Sequence, residues 1–407
     1  MKKVFLLSLL IVFLLTVAGI GHAATNAQKQ DAIDKGLAWL ASKQNANGSW
    51  SYSYGGTDGA TGAALLAFVE QKYKPAGWKV DYTDTVMKAA NYLFSKVGTY
   101  NLSGGAWFGP CSKDGSNIGY GWGIGTGEET YNTGLVVPGL ARMTAGIVSP
   151  STVITAPGAL NGLTYAQMLQ RTVDQFAWGQ NGGTGKWYDG GWRYTPRQAS
   201  ADNSTTQWPV IGSLFAESAG ATSWSQTRSE LKKWIAYIQN SNGGSGYDSP
   251  TNIVNESKTG GLLVEMFWAG GYAGSPAMDK ALDFLNTRWK NGPSGTWYGN
   301  FGHPYAMWSI YKGLELTVGL NDPNHKINNL LDPTQLNWWE DYCEWLVNHQ
   351  NANGSWTGYS YWGDPLSTAW NINILNGTRV VTPVPGSIVL LGSGLLGLLG
   401  LRRKMRR

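Results

Sequence analysis

Two kinds of apolar pattern alternate along the chain. The first is a stripe at helical spacing: Ile33, Leu37 and Leu40; Val86, Ala90, Leu93 and Val97; Met168, Leu169, Val173 and Phe176; Leu231, Trp234, Ile235 and Ile238; Met278, Ala281, Leu282, Leu285 and Trp289; Trp339, Tyr342, Cys343 and Leu346. The opposite faces carry Lys, Asp, Glu and Gln, so each predicts a helix with one side in solvent. The second pattern, over 61–69, 133–145, 206–216, 259–268, 305–316 and 367–375, is apolar nearly all round. A helix without a polar face has to be covered on both sides. Most of these runs reach about ten residues or more, which favours helix over interior strand.

Gly/aromatic turns punctuate the alternation: Gly48-Ser49-Trp50, Gly104-Gly105-Ala106-Trp107, Gly190-Gly191-Trp192, Gly243 to Tyr247, Gly295-Thr296-Trp297 and Gly354-Ser355-Trp356. Glycine permits the turn out of a helix, and the ring can fold back on the helix end. Six amphipathic and six buried helices in alternation predict an all-α (α/α)6 toroid over 27–377, with the buried set inside.

Gln44 to Trp50 and Gln350 to Trp356 are identical over seven residues, Gln-Asn-Ala-Asn-Gly-Ser-Trp. A segment repeated some three hundred residues apart marks an array of like units. It resembles the Gln-Trp motif of squalene–hopene cyclases, within the terpenoid cyclase and protein prenyltransferase superfamily, strongly in the first and last units and weakly between. The resemblance implies a structural role for Gln44, Trp50, Gln350 and Trp356, tying one helix end to its neighbour.

Both termini read as addresses. Residues 1–23 hold Lys2-Lys3, an apolar run and Gly21-His22-Ala23, the layout of a cleaved secretory signal. The far end has Pro383-Val384-Pro385, an apolar segment over 387–401 and a basic tail that includes Arg402 and Arg403. That segment is at the short edge of a membrane span, and its basic tail belongs on the cytoplasmic side. The tripartite region 383–407 resembles the PEP-CTERM sorting signal of Gram-negative bacteria, with Val where the name has Glu. The resemblance implies export through the Sec translocon, cleavage by signal peptidase, transient residence in the inner membrane and release by an exosortase-type transpeptidase to the cell surface or beyond.

These tails also explain the charge. The formal net charge is +5, from 31 basic and 26 acidic residues. Seven of the basic residues lie in the two terminal segments, which leaves 24 against 26 in the body. A basic nucleic-acid footprint is absent. Cys111 and Cys343 can form one bridge in an oxidising compartment or stay as two thiols.

In an alternating ring the inner helices run parallel, so their N-termini share one rim. Asp58, Glu128, Glu129, Asp202, Asn203, Glu256, Lys258, His303 and Asp364 fall there. Capping and the helix dipole account for most acids at such positions. Read functionally, they form a polar ring at the mouth of an aromatic cavity. Asp202 is the candidate catalytic acid, since Ser200-Ala201-Asp202-Asn203 is the nearest match to the Asp-x-Asp-Asp acid of class II cyclases. Only Asp202 falls on an acid of that motif, which argues against cyclisation.

His303, His325 and His349 make no ligand spacing with either cysteine, so neither a metal nor a cofactor is expected. Gly121-Trp122-Gly123-Ile124-Gly125 is read as lacking the strand that a dinucleotide fingerprint needs. Toroids also host polysaccharide lyases and glycosidases. His303 with Tyr305, the carboxylates Asp189, Asp202, Asp248 and Asp364, and aromatic loops at Trp187, Trp297 and 359–362 supply groups for that chemistry. The reading adopted is an exported protein whose toroid is a binding or structural module, with an exopolysaccharide or lipid ligand. The alternative is an enzyme, either a polyprenyl cyclase using Asp202 or a polysaccharide-cleaving enzyme. A fold alone does not choose between them.

Overall fold

The computed structural model describes residues 23–380 apart from 52–55, 73–76, 145–146, 325 and 328–335. The secretory-signal reading, apart from Ala23, and the sorting-signal reading lie outside the described residues, as does His325. Among the described residues no helix is long and apolar enough to cross a membrane.

Twelve helices and one hairpin make up the described chain. They are α1 (Asn26–Lys43), α2 (Thr57–Lys72), α3 (Thr83–Lys96), β1 (Gly98–Asn101), β2 (Ile118–Gly121), α4 (Glu129–Thr144), α5 (Tyr165–Gly179), α6 (Asn203–Ser218), α7 (Ser225–Ile238), α8 (Glu256–Ala269), α9 (Pro276–Thr287), α10 (Pro304–Thr317), α11 (Trp338–Asn348) and α12 (Asp364–Leu375). Every odd-numbered helix is amphipathic and every even-numbered one is buried along most of its length. The even helices pack in sequence, α2 on α4, then α6, α8, α10 and α12, and α12 returns to α2. The inner ring is closed. Its helices approach closely at glycines: a Cβ on Gly260 would stand 2.5 Å from the Ile310 nitrogen, and one on Gly313 2.5 Å from the Gly260 carbonyl.

One tie recurs around the outside. Gln44 Nε2 donates to the Gly48 carbonyl (3.0 Å) and, on the next outer helix, to the Thr85 carbonyl (2.9 Å). Gln180 does the same to Gly190 and Thr227, Gln239 to Gly243 and Ala277, and Gln350 to Gly354 and Ala32. The four glycines share φ between +91° and +94°. A Cβ on Gly48 would lie 2.2 Å from the Lys88 carbonyl of α3, and the other three abut a neighbouring outer helix in the same way. No other residue fits both the left-handed backbone and that contact. Trp50, Trp192 and Trp356 then donate their indole N–H to Leu40, Phe176 and Leu346, carbonyls at outer-helix ends. Their backbone N–H groups donate to Thr61, Thr206 and Thr368 in the first turn or two of the inner helices.

Three units depart from the sequence reading. In the second, Trp122 fills the tryptophan position, donating to Leu93 and Thr133, while Trp107 is half-buried against Gln180. The cause is the antiparallel β1–β2 hairpin inserted after α3, which postpones the turn by about fifteen residues. The strand judged missing before Gly121-Trp122-Gly123 is therefore present as β2, paired antiparallel and outside any βαβ unit. In the fourth unit the N–H of Ser245, not of Tyr247, donates to Thr259 at 3.0 Å. In the fifth, Asn300 in place of Trp297 donates its side-chain N–H to the Trp289 carbonyl (2.7 Å), and the Gly302 N–H faces the Met307 sulfur at 3.4 Å. Both cysteines are free and buried.

Candidate functional site: an aromatic bowl on one rim

The starts of the inner helices converge on a cavity of about 310 Å³, lined among others by Ala60, Tyr131, Ser204, Lys258, Tyr305 and Leu366. Each of those residues belongs to the first turn or two of a different inner helix, so the six N-termini do share a rim. The volume sits at the small end of ligand pockets, about 300–1,000 Å³. Tyr194, Tyr247, Trp297, Tyr361 and Trp362 build the wall from the loops. The ring axis below is filled: Trp208 and Trp370 stack at 6.1 Å, and Trp308 stacks on Trp370 at 6.4 Å. The site is a bowl with a tryptophan floor, not a tunnel.

Most acids of the rim face the loops instead of the bowl. Asp58 accepts from the Tyr92 hydroxyl and the Gly123 N–H, each at 3.0 Å, and burial raises its pKa. Glu129 accepts from the Gly125 N–H, Glu256 from Asn291 and the Gly299 N–H, and Asp364 from the Gly358 N–H. Asn203 donates to Ser245 and to the Lys258 carbonyl and accepts from Trp234. Of the other carboxylates weighed, Asp189 holds the 184–185 turn and Asp248 accepts from Asn252.

Asp202 is fully buried and caps α6, accepting from the Thr205 N–H at 2.8 Å. The same oxygen accepts from Ser204, and the other accepts from the Thr205 hydroxyl (2.8 Å) and Arg193 (3.0 Å). Burial pushes its pKa up, against the opposing pull of the Arg193 guanidinium and these hydrogen bonds. Four donors occupy the carboxylate, and it is not among the residues lining the bowl. His303 caps α10, accepting from Ala306 on Nδ1, with Nε2 3.2 Å from the Thr296 carbonyl. Burial lowers its pKa to about 4, so the ring is neutral at pH 7.

Two charged groups do line the bowl. Glu128 is pushed up to about 7 by burial and by neighbouring Glu129. Lys258 is 3% exposed, and burial brings it down to about 8. Its ammonium lies 5.6 Å from the Tyr247 ring and 5.9 Å from the Trp297 ring. Among the described residues no group at the rim or elsewhere forms a three-ligand metal cluster of His, Cys, Asp and Glu. Ile253, also in the lining, is held at φ +48°, a region that costs a β-branched residue about 1–3 kcal/mol.

The sequence reading named the rim but not its inner lining, Tyr131, Trp208, Tyr305 and Trp370 taken together. A signal was there: each is a large aromatic within about seven residues of an inner-helix start.

No protein-family model matches the chain, and no curated protein does. Among solved structures the chain is similar to the type II terpene cyclase MstE from Scytonema (apo), with 14% identity and a TM-score of 0.47, over 87% of this chain and 98% of that one. At that level of likeness neither chemistry nor fold is read across; the closed ring rests on this chain's own packing.

Proposed function

We propose that the ring is a binding module whose aromatic bowl takes a carbohydrate chain. One observation carries the reading: aromatic rings from the loops and inner helices, with a few polar groups among them, line one bowl whose mouth is edged by partly exposed rings. Tyr305 stacks on Trp362 at 4.9 Å, Tyr131 and Tyr305 share a hydroxyl contact of 3.1 Å, and Trp297 and Tyr361 stand at the mouth, 40% and 42% exposed. A sugar has apolar ring faces and a polar edge, which suits such a surface. The superfamily resemblance then describes a scaffold, and the terminal segments describe delivery to the cell surface by Sec export and exosortase processing.

Cyclase chemistry is disfavoured because a Brønsted acid needs its proton directed at the substrate. The Asp202 oxygens are directed at Arg193, Ser204 and Thr205. A second reading, a polysaccharide-cleaving enzyme, is favoured by Glu128, whose raised pKa lies in the range useful for proton transfer. The test is affinity electrophoresis of the processed chain in a panel of polysaccharides, with Trp362→Ala as comparison. Retardation that Trp362→Ala removes supports binding, and no retardation by any polymer overturns it. New reducing ends that disappear in Glu128→Gln would move the conclusion to the enzyme. Mass spectrometry of extracellular protein tests the address: an intact Arg-rich tail there defeats exosortase processing.

A further inference from the structure

Resting on the carbohydrate reading, we propose that the bowl recognises an acidic sugar, a uronate, and that Lys258 receives its carboxylate. Lys258 is a buried cation whose ammonium donates to no acceptor among the described residues. The nearby carboxylates are spent elsewhere: Asp202 on Arg193, Ser204 and Thr205, and Glu256 on Asn291 and Gly299. Its ammonium lies against two aromatic rings, and Asp202 and Glu256 attract it through space without a direct hydrogen bond. A buried ammonium with no direct carboxylate partner is costly, and part of that cost is recovered when a ligand brings one.

The wall and floor set aromatic faces and tyrosine hydroxyls around this cation, with Tyr131, Tyr194, Tyr247, Tyr305, Trp297 and Trp362 in the lining. The complement of such a bowl is a ligand with apolar ring faces, hydroxyl groups and one negative charge. A neutral sugar leaves Lys258 unpaired. A phosphate monoester brings nearly two charges against one ammonium. A fatty acid matches the charge but brings no hydroxyl groups to the tyrosines of the wall.

The test uses the processed chain and calorimetry with short oligomers of galacturonate, glucuronate and mannuronate, each beside its methyl ester, at pH 6.5. At least one free acid is expected to bind tenfold or more tighter than its ester, and Lys258→Met to bind the two alike. The Lys258→Met melting temperature reports that the ring still folds. Should that variant fail to fold, a pH series decides: the preference for the acid is expected to fade as pH rises from 7 to 9. The other ionisable groups around Lys258 are Asp202 with Arg193, Glu256, His303, Tyr247 and Glu128. Of these Glu128 also titrates inside that window, so the series is read in Glu128→Gln, where Lys258 alone changes charge. Equal binding of acid and ester by wild type overturns the role of Lys258 and leaves the carbohydrate reading standing. No binding of either form, with tight binding of decanoate, overturns both.

Discussion

Gln350 and Ala32 are 318 positions apart in the chain, and the Gln350 side-chain N–H donates to the Ala32 carbonyl at 2.8 Å. That bond joins the last unit to the first. Gly354 supports it by lying against Lys35 of α1, and Lys29 adds an ion pair to Glu340 at 2.6 Å. Gln350→Ala is expected to cost about 1–3 kcal/mol, since two carbonyls lose a partner. Gly354→Ala should cost more, because its Cβ would meet the Lys35 carbonyl at 2.4 Å with φ at +91°. Urea denaturation of both variants checks the order, and a milder Gly354→Ala would show that the ring closes without this contact.

Trp122 and Trp107 separate the two placements of the second unit. Trp122 is 1% exposed and bonded at both its indole and its backbone N–H. Trp122→Phe is expected to cost about 1–3 kcal/mol through an orphaned buried carbonyl, and Trp122→Ala about 3–5 kcal/mol. Trp107→Phe should stay within about 1 kcal/mol. Equal losses from the two Phe variants would refute the assignment.

Asp202 is more than a helix cap. As a cap alone, Asp202→Asn would be nearly neutral and Asp202→Ala would cost about 1 kcal/mol. The Arg193 pair raises both, because either change strands a cation that is 19% exposed in its side chain. About 3 kcal/mol is expected for Asp202→Ala, with Asn between. A double-mutant cycle with Arg193→Met measures the coupling, and a coupling near zero would return Asp202 to a simple cap.

His303 should make the protein acid-sensitive. Its folded pKa is about 4 against an ordinary 6.5, so the unfolded chain binds more protons between those values. Stability therefore falls as pH drops through that window, by up to about 3 kcal/mol for this group. His303→Asn keeps a capping side chain and removes the titration. Stability curves from pH 7 to pH 4 should be flatter for the variant, and parallel curves would contradict the burial argument.

Lys258 predicts a slope at the alkaline end. Its folded pKa of about 8 lies below the ordinary 10.5, so the unfolded state again binds more protons between the two. Stability contributed here rises with pH across that interval. Lys258→Met should melt no lower than wild type at pH 7 and should lack the rise. A variant much less stable than wild type at pH 7 would mean that the ammonium has a partner in the fold.

The sequence by itself determined the elements and their order. Periodicity separates solvent-facing α7, with Leu231, Trp234, Ile235 and Ile238 on one side, from α8, where Glu265 is the one charged residue over 259–268. A helix lacking a polar face can only sit between other elements, so the inner ring followed from composition along the helix. The Gln-Asn pairs at 44, 180, 239 and 350 also carried four of the ties, although only the first and last stood out as a motif. Tertiary structure decided what local pattern cannot hold. A hairpin of 98–121 moved the second turn from Trp107 to Trp122, because which indole reaches the Leu93 carbonyl depends on where the intervening chain folds back. The acids of the rim looked alike in sequence, yet Asp58, Asp202 and Asp364 turned to loop N–H groups and side chains that only packing brings within reach. Lys258 lines the bowl without a direct carboxylate partner because packing commits Asp202 to Arg193, Ser204 and Thr205, and Glu256 to Asn291 and Gly299.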